Sequence, residues 1–153
     1  VVLVQAAHLF DGFVPIARQP DDRQPARGEH GLQPIEEERL VVHQQDLEGV
    51  INALWAGGAE AMMVMDQRIV ATSAIRCVGP VLLLQGRRYA PPYTITAVGD
   101  ADAMEDALDD SEDVTNYRQY AEFIGLGYQV DREDSVTLPA YDGAIDVSGD
   151  IAP

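Results

Sequence analysis

The sequence predicts an α+β domain with a ferredoxin-like split βαβ core, extended by an added hairpin and helix. Three observations lead there. The 153 residues suit one domain, and 46% of them are hydrophobic, enough for a core without a disulfide or metal staple. The periodic segments run strand, helix, strands, helices, strands. No internal repeat interrupts that order.

Val1 to Val4 form an apolar, β-branched run that predicts a buried strand. From Phe10 to about Glu38 the composition shifts. Pro15, Pro20, Pro25 and Pro34 punctuate a stretch rich in Gln, Arg, Asp and Glu, which reads as a long irregular arm. Leu47, Val50, Ile51, Leu54 and Trp55 then recur at helical spacing, predicting a helix from about Leu40 to Ala56 that ends at Gly57-Gly58. Ala61 to Met65 and Arg68 to Thr72 read as a hairpin turning at Asp66-Gln67. Val81 to Gln85 is an apolar strand after a Gly79-Pro80 break, and Pro91-Pro92 leads stiffly into a strand from Tyr93 to Val98.

Asp100 suits the N-cap of a helix carrying Met104, Ala107 and Leu108, with Asp102, Glu105 and Asp106 near its positive end. Tyr117, Tyr120, Ala121 and Ile124 mark a second helix from about Glu112 to Ile124, capped by Gly125. Tyr128 to Val130 and Val136 to Leu138 predict strands about an Asp131–Ser135 turn. The expected organisation is an N-terminal strand and arm over 1–39, the α+β domain over 40–143, and a fraying acidic tail over 144–153.

The formal charge is −16, from 26 acidic and 10 basic residues, and every basic residue is Arg. Such a field repels a phosphate backbone and anionic lipid heads, so no nucleic-acid partner is expected. No run of apolar residues approaches the roughly 20 that span a bilayer. The chain begins with Val1 rather than Met, so a processed product or a fragment is expected, with any anchor upstream.

Few residues offer catalytic or metal chemistry. His8, His30 and His43 are scattered, and the lone Cys77 makes no zinc cluster and reads as a buried thiol. An EF-hand counted from Asp100 fails, because Glu105 stands at the glycine position and Ser111 at the glutamate position. Gly125-Leu126-Gly127 lacks the third glycine and following helix of a dinucleotide loop, and no lysine exists for a Walker loop. Ser73, Ser111, Ser135 and Ser148 have no nucleophile-elbow setting. No metal and no cofactor is expected. One grouping stands out. Arg68, Arg76, Arg87 and Arg88 lie within the least acidic part of the chain, with Thr72 and Ser73 among them. Guanidinium groups beside hydroxyls bind carboxylate or phosphate well.

Ordered motifs also carry a resemblance. Leu40 to Asp46, Asn52 to Ala61, Gln67-Arg68, Thr72 to Arg76, Gly79, Pro91 to Tyr93, Ala97 to Asp100, Gly125 to Tyr128 and Thr137 to Tyr141 resemble the domain-of-unknown-function 881 family over about Leu40 to Gly143. The resemblance implies a bacterial protein, held by one upstream membrane helix and a stalk, with this domain on the extracytoplasmic side of the cell membrane near division and envelope functions. It implies no catalytic residues.

The leading expectation is therefore a non-enzymatic binding or scaffolding module. Its contact residues would be Arg68, Thr72, Ser73, Arg76 and Tyr93, and its partner an envelope or division protein or an acidic envelope polymer. The alternative is a small-ligand sensor that pairs into a homo-oligomer and binds a metabolite between subunits, which rests on fold analogy. A hydrolase pairing Asp100 with Asp102 is disfavoured, since nothing separates the acidities of two helix-cap carboxylates.

Overall fold

The computed structural model describes residues 1–7, 42–79 and 81–143. The arm expected over 10–38, His8, His30 and the tail over 144–153 lie outside the described residues. Among those described, three helices and two small antiparallel sheets make a mixed α+β fold.

The larger sheet contains β1 (Val2–Ala7), β2 (Ala61–Val64), β3 (Gln67–Ile69), β7 (Tyr93–Val98) and β8 (Gly127–Arg132), in the order β3-β2-β7-β1-β8. Register decides its core. Val2, Ala97, Met62 and Ile69 lie in one cross-strand row and all are buried, as are Ile95 and Val64 in the next. Because side chains alternate across a strand, these rows form one apolar face. The helices α1 (Gln44–Ala56), α2 (Ala101–Asp110) and α3 (Glu112–Ile124) supply the opposing layer. Glu105 of α2 reaches Arg132 at the end of the first row. Tyr117 of α3 meets Tyr128 edge to face, with ring centroids 5.9 Å apart.

The predicted stripe on α1 is buried at Leu47, Val50, Ile51 and Leu54, but Gly49 and Ala53 are buried too. The helix is enclosed on more than one side. A Cβ added at Gly49 would lie 2.9 Å from Asp113 Cβ of α3, and one at Gly57 would lie 2.7 Å from Met104 Cα of α2. Helix α1 begins at Gln44 rather than near Leu40, because His43 is extended and its N–H donates to the Asp46 carboxylate at 2.8 Å. Asp100 caps α2 by accepting from the amides of Asp102 and Ala103 at 3.0 and 3.2 Å. Gly125 closes α3 in the left-handed conformation, at φ 81°.

The smaller sheet is inserted between β3 and β7. It contains β4 (Ile75–Val78), β5 (Val81–Leu84) and β6 (Arg87–Tyr89) in the order β4-β5-β6. Of these only β5 was expected as a strand. The β2–β3 turn is Met65-Asp66, one residue earlier than the pattern suggests, with Met65 at φ 56°. A methionine there gives no sequence signal of a left-handed turn. The strand expected over Val136 to Leu138 is also corrected. Residues 133–143 are irregular, and β8 extends to Arg132 through the start of the supposed turn.

Candidate functional site

The four clustered arginines divide by position. Strand β5 alternates, so Leu82 and Leu84 face inward and Val81 and Leu83 outward. Opposite Leu83 stand Arg76 on β4 and Arg88 on β6. Both are exposed, and neither makes an ion pair or side-chain hydrogen bond among the described residues. Val78 lies on the same face and is 59% exposed. The outward face of the small sheet is thus an arginine–leucine–arginine row beside exposed valine, on a chain carrying −16.

Arg87 alternates to the inner face and is already engaged. Its Nη1 meets Asp66 Oδ2 at 3.2 Å, and the Tyr89 hydroxyl donates to the other oxygen of the same carboxylate. The Tyr89 bond, with help from Arg87, holds the Asp66 carboxyl below its ordinary range, while burial followed by that carboxylate raises the Tyr89 phenol. This clasp ties the β2–β3 turn to β6. Arg68 sits on β3 and donates to the Pro139 carbonyl at 3.5 Å. Thr72 is exposed in the turn after β3. The Ser73 hydroxyl accepts from the Val70 amide at 2.9 Å, so it holds that turn in shape.

Tyr93 requires a correction as a contact residue. It is 2% exposed, so its side chain belongs to the core and is not presented to a partner. Arg88 belongs with Arg76 but was absent from the expected contact set. Val81 to Leu84 is uniformly apolar, so the sequence carries no signal of which arginines share its outward face. The acids considered for hydrolysis have structural partners. Asp100 caps α2, and Asp102 pairs with Arg132 Nη1 at 2.8 Å. The Cys77 thiol is half-buried, and burial raises its pKa with smaller help from Asp46 and Glu48. Among the described residues, no group of three His, Cys, Asp or Glu side chains could hold a metal, and no helix is long and apolar enough to cross a membrane.

A concavity of about 600 Å³ opens between α1 and α3. His43, Asp46, Asn52, Asp113, Asn116 and Tyr120 are among its lining residues, so its character is polar and acidic.

The buried tyrosines set an alkaline limit. Burial pushes Tyr93 up to about 12 and raises Tyr117 still further. An unfolded phenol ionises near pH 10, so the neutral forms favour the fold fully below that pH. That contribution is lost as pH rises through the folded values. Urea unfolding at pH 9 and pH 12 is expected to show a loss of roughly 2 kcal/mol from Tyr93 alone. Tyr93→Phe should remove that share of the pH dependence.

A family described as "Bacterial protein of unknown function (DUF881)" matches residues 14–149. "UPF0749 protein Rv1823" of Mycobacterium tuberculosis H37Rv is 36% identical over 100 residues, covering 65% of this chain and 33% of that protein. "UPF0749 protein YlxW" of Bacillus subtilis 168 is 37% identical over 68 residues, covering 44% of this chain and 29% of that protein. The chain therefore spans about a third of the length of the curated relatives it matches. An uncharacterized conserved protein from Mycobacterium tuberculosis, solved by crystallography, superposes with a TM-score of 0.61 at 18% identity, over 96% of this chain and 85% of that one. At that identity the likeness speaks to fold alone.

Proposed function

Because this chain belongs to the DUF881 family of bacterial proteins of unknown function, we propose that it is a non-enzymatic binding or scaffolding module of the cell envelope, acting on the extracytoplasmic side of the membrane. Membrane attachment would come from a segment outside the described residues. The core is assigned to the ferredoxin-like split βαβ class. The order β2-β7-β1-β8 supports this, with every neighbouring pair antiparallel and helices in both crossovers.

One observation carries the functional reading. Arg76 and Arg88 flank Leu83 on an open face and have no acidic partner among the described residues, although acids outnumber bases 26 to 10. Arginine beside exposed apolar area is a composition enriched in interface cores. The partner is an envelope or division protein, or an acidic envelope polymer, that offers carboxylate or phosphate. Arg68 and Thr72 are peripheral to this face, and Ser73 shapes the turn that leads into it.

The test is cross-linked capture from envelope membranes by the wild-type domain beside Arg76→Glu and Arg76→Glu/Arg88→Glu. The expected result is capture of a division or wall-synthesis protein by the wild type and about a tenfold or greater loss in the double variant, with unchanged circular dichroism. Equal capture by folded wild type and double variant would remove this face from the function.

The concavity between α1 and α3 favours a second reading, as a small-ligand sensor. Its acidic lining suits an amine or guanidinium compound. A binding metabolite should raise the melting temperature in proportion to the logarithm of its excess. A flat response across a broad amine panel would sink it.

A further inference from the structure

The arginine face runs out to an open sheet edge. In the order β4-β5-β6, each outer strand has one side that pairs with no strand among the described residues. The two sides differ. The β4 side is screened by α1, because the Cys77 amide donates to Gln44 Oε1 at 3.3 Å. The β6 side has no such cover among the described residues. The β5–β6 loop is Gln85-Gly86, both with positive φ, so Leu84 and Arg87 form the hydrogen-bonded pair that closes the hairpin. Leu83 and Arg88 are then a non-hydrogen-bonded pair. The N–H and C=O of Arg88 consequently point away from β5, towards the open edge. Backbone donor, backbone acceptor and a guanidinium with no acid partner among the described residues therefore meet at one residue.

We propose that the β6 edge accepts an extended acidic peptide segment as a fourth strand of the small sheet. This rests on the binding-module reading of the same face, and adds the conformation and charge of the partner. Strand addition draws affinity from main-chain hydrogen bonds and specificity from alternate side chains. Alternate residues of the added strand project on the Arg88 side, where the cross-strand neighbour is a cation with no acid beside it among the described residues. Arg76, two strands further in, extends the positive field over the same face. On the inner side the neighbours are Arg87, already neutralised by Asp66, and the half-buried Tyr89. The fitting segment thus alternates carboxylates with small apolar residues.

The test uses the full chain, isotope-labelled, titrated with a short capped peptide of alternating Glu and Val. Two further probes are its Lys/Val counterpart and the Glu/Val peptide N-methylated on the backbone. The expected result is slowed exchange of the Arg88 amide, with binding about tenfold weaker for the Lys/Val peptide, the N-methylated peptide and the Arg88→Glu variant. Equal binding of the plain and N-methylated acidic peptides, with Arg88→Glu still weakening both, would overturn strand addition and leave the arginine face standing. Acidic-peptide binding indifferent to Arg76→Glu/Arg88→Glu would overturn both. No binding of the acidic peptide at millimolar concentration would overturn strand addition.

Discussion

Gly57→Val is expected to destabilise the fold by about 3 kcal/mol, a drop of roughly 6–12 °C in melting temperature for a domain of this size. The cause is space, not backbone conformation, since Gly57 has an ordinary φ of −74°. A Cβ there would stand 2.7 Å from Met104 Cα and 2.9 Å from the Ala103 carbonyl oxygen. Both are backbone atoms of α2, which cannot swing aside as a side chain can. Relief requires α1 and α2 to separate, which would loosen Met104 and Leu54, both fully buried. Gly58 is the control. It has φ 87° and no atom within 4 Å of an added Cβ, so Gly58→Ala should cost only the left-handed strain, about 1 kcal/mol. Urea midpoints at constant m-value would measure both. Equal losses at the two positions would refute the close α1–α2 approach.

Tyr93→Ala is expected to cost about 3–5 kcal/mol, the range for deleting a buried aromatic, while Tyr93→Phe should cost about 1 kcal/mol for the lost hydroxyl contact. The ring is 2% exposed at the junction of the two sheets. Its removal empties the space between Leu82 and Cys77 on one side and the larger sheet on the other. The effect should reach the small sheet first, so fluorescence and near-ultraviolet dichroism of Tyr89 are useful reporters. A Tyr93→Ala variant as stable as wild type would return Tyr93 to the contact role expected from the sequence.

What could be read in the sequence was local. Leu47, Val50, Ile51 and Leu54 announced α1 because helical spacing needs only neighbours to be recognised. The Asp100 cap and the left-handed Gly125 were legible for the same reason. Strands β4 and β6 were missed because they hold four and three residues, and arginine occupies one outward position in each. No short-range pattern separates such segments from loop. The sheet order is set by pairing between distant segments, such as Val2 with Ala97, and register of that kind leaves no mark on either strand alone. Arg76 was singled out as a charge, but its alliance with Arg88 became visible only when both registered with Leu83.

That arginine row has a kinetic consequence. A diffusing acidic partner first meets the far field of a molecule at −16, which repels it, and only at close range the attraction of two guanidinium groups. The two influences lie on opposite sides of the Debye length, about 8 Å at physiological ionic strength. Adding salt at first removes the long-range barrier and speeds encounter, then weakens the contact itself and speeds departure. Affinity should therefore pass through a maximum with ionic strength instead of falling steadily, so that the surrounding electrolyte sets how readily this face is engaged.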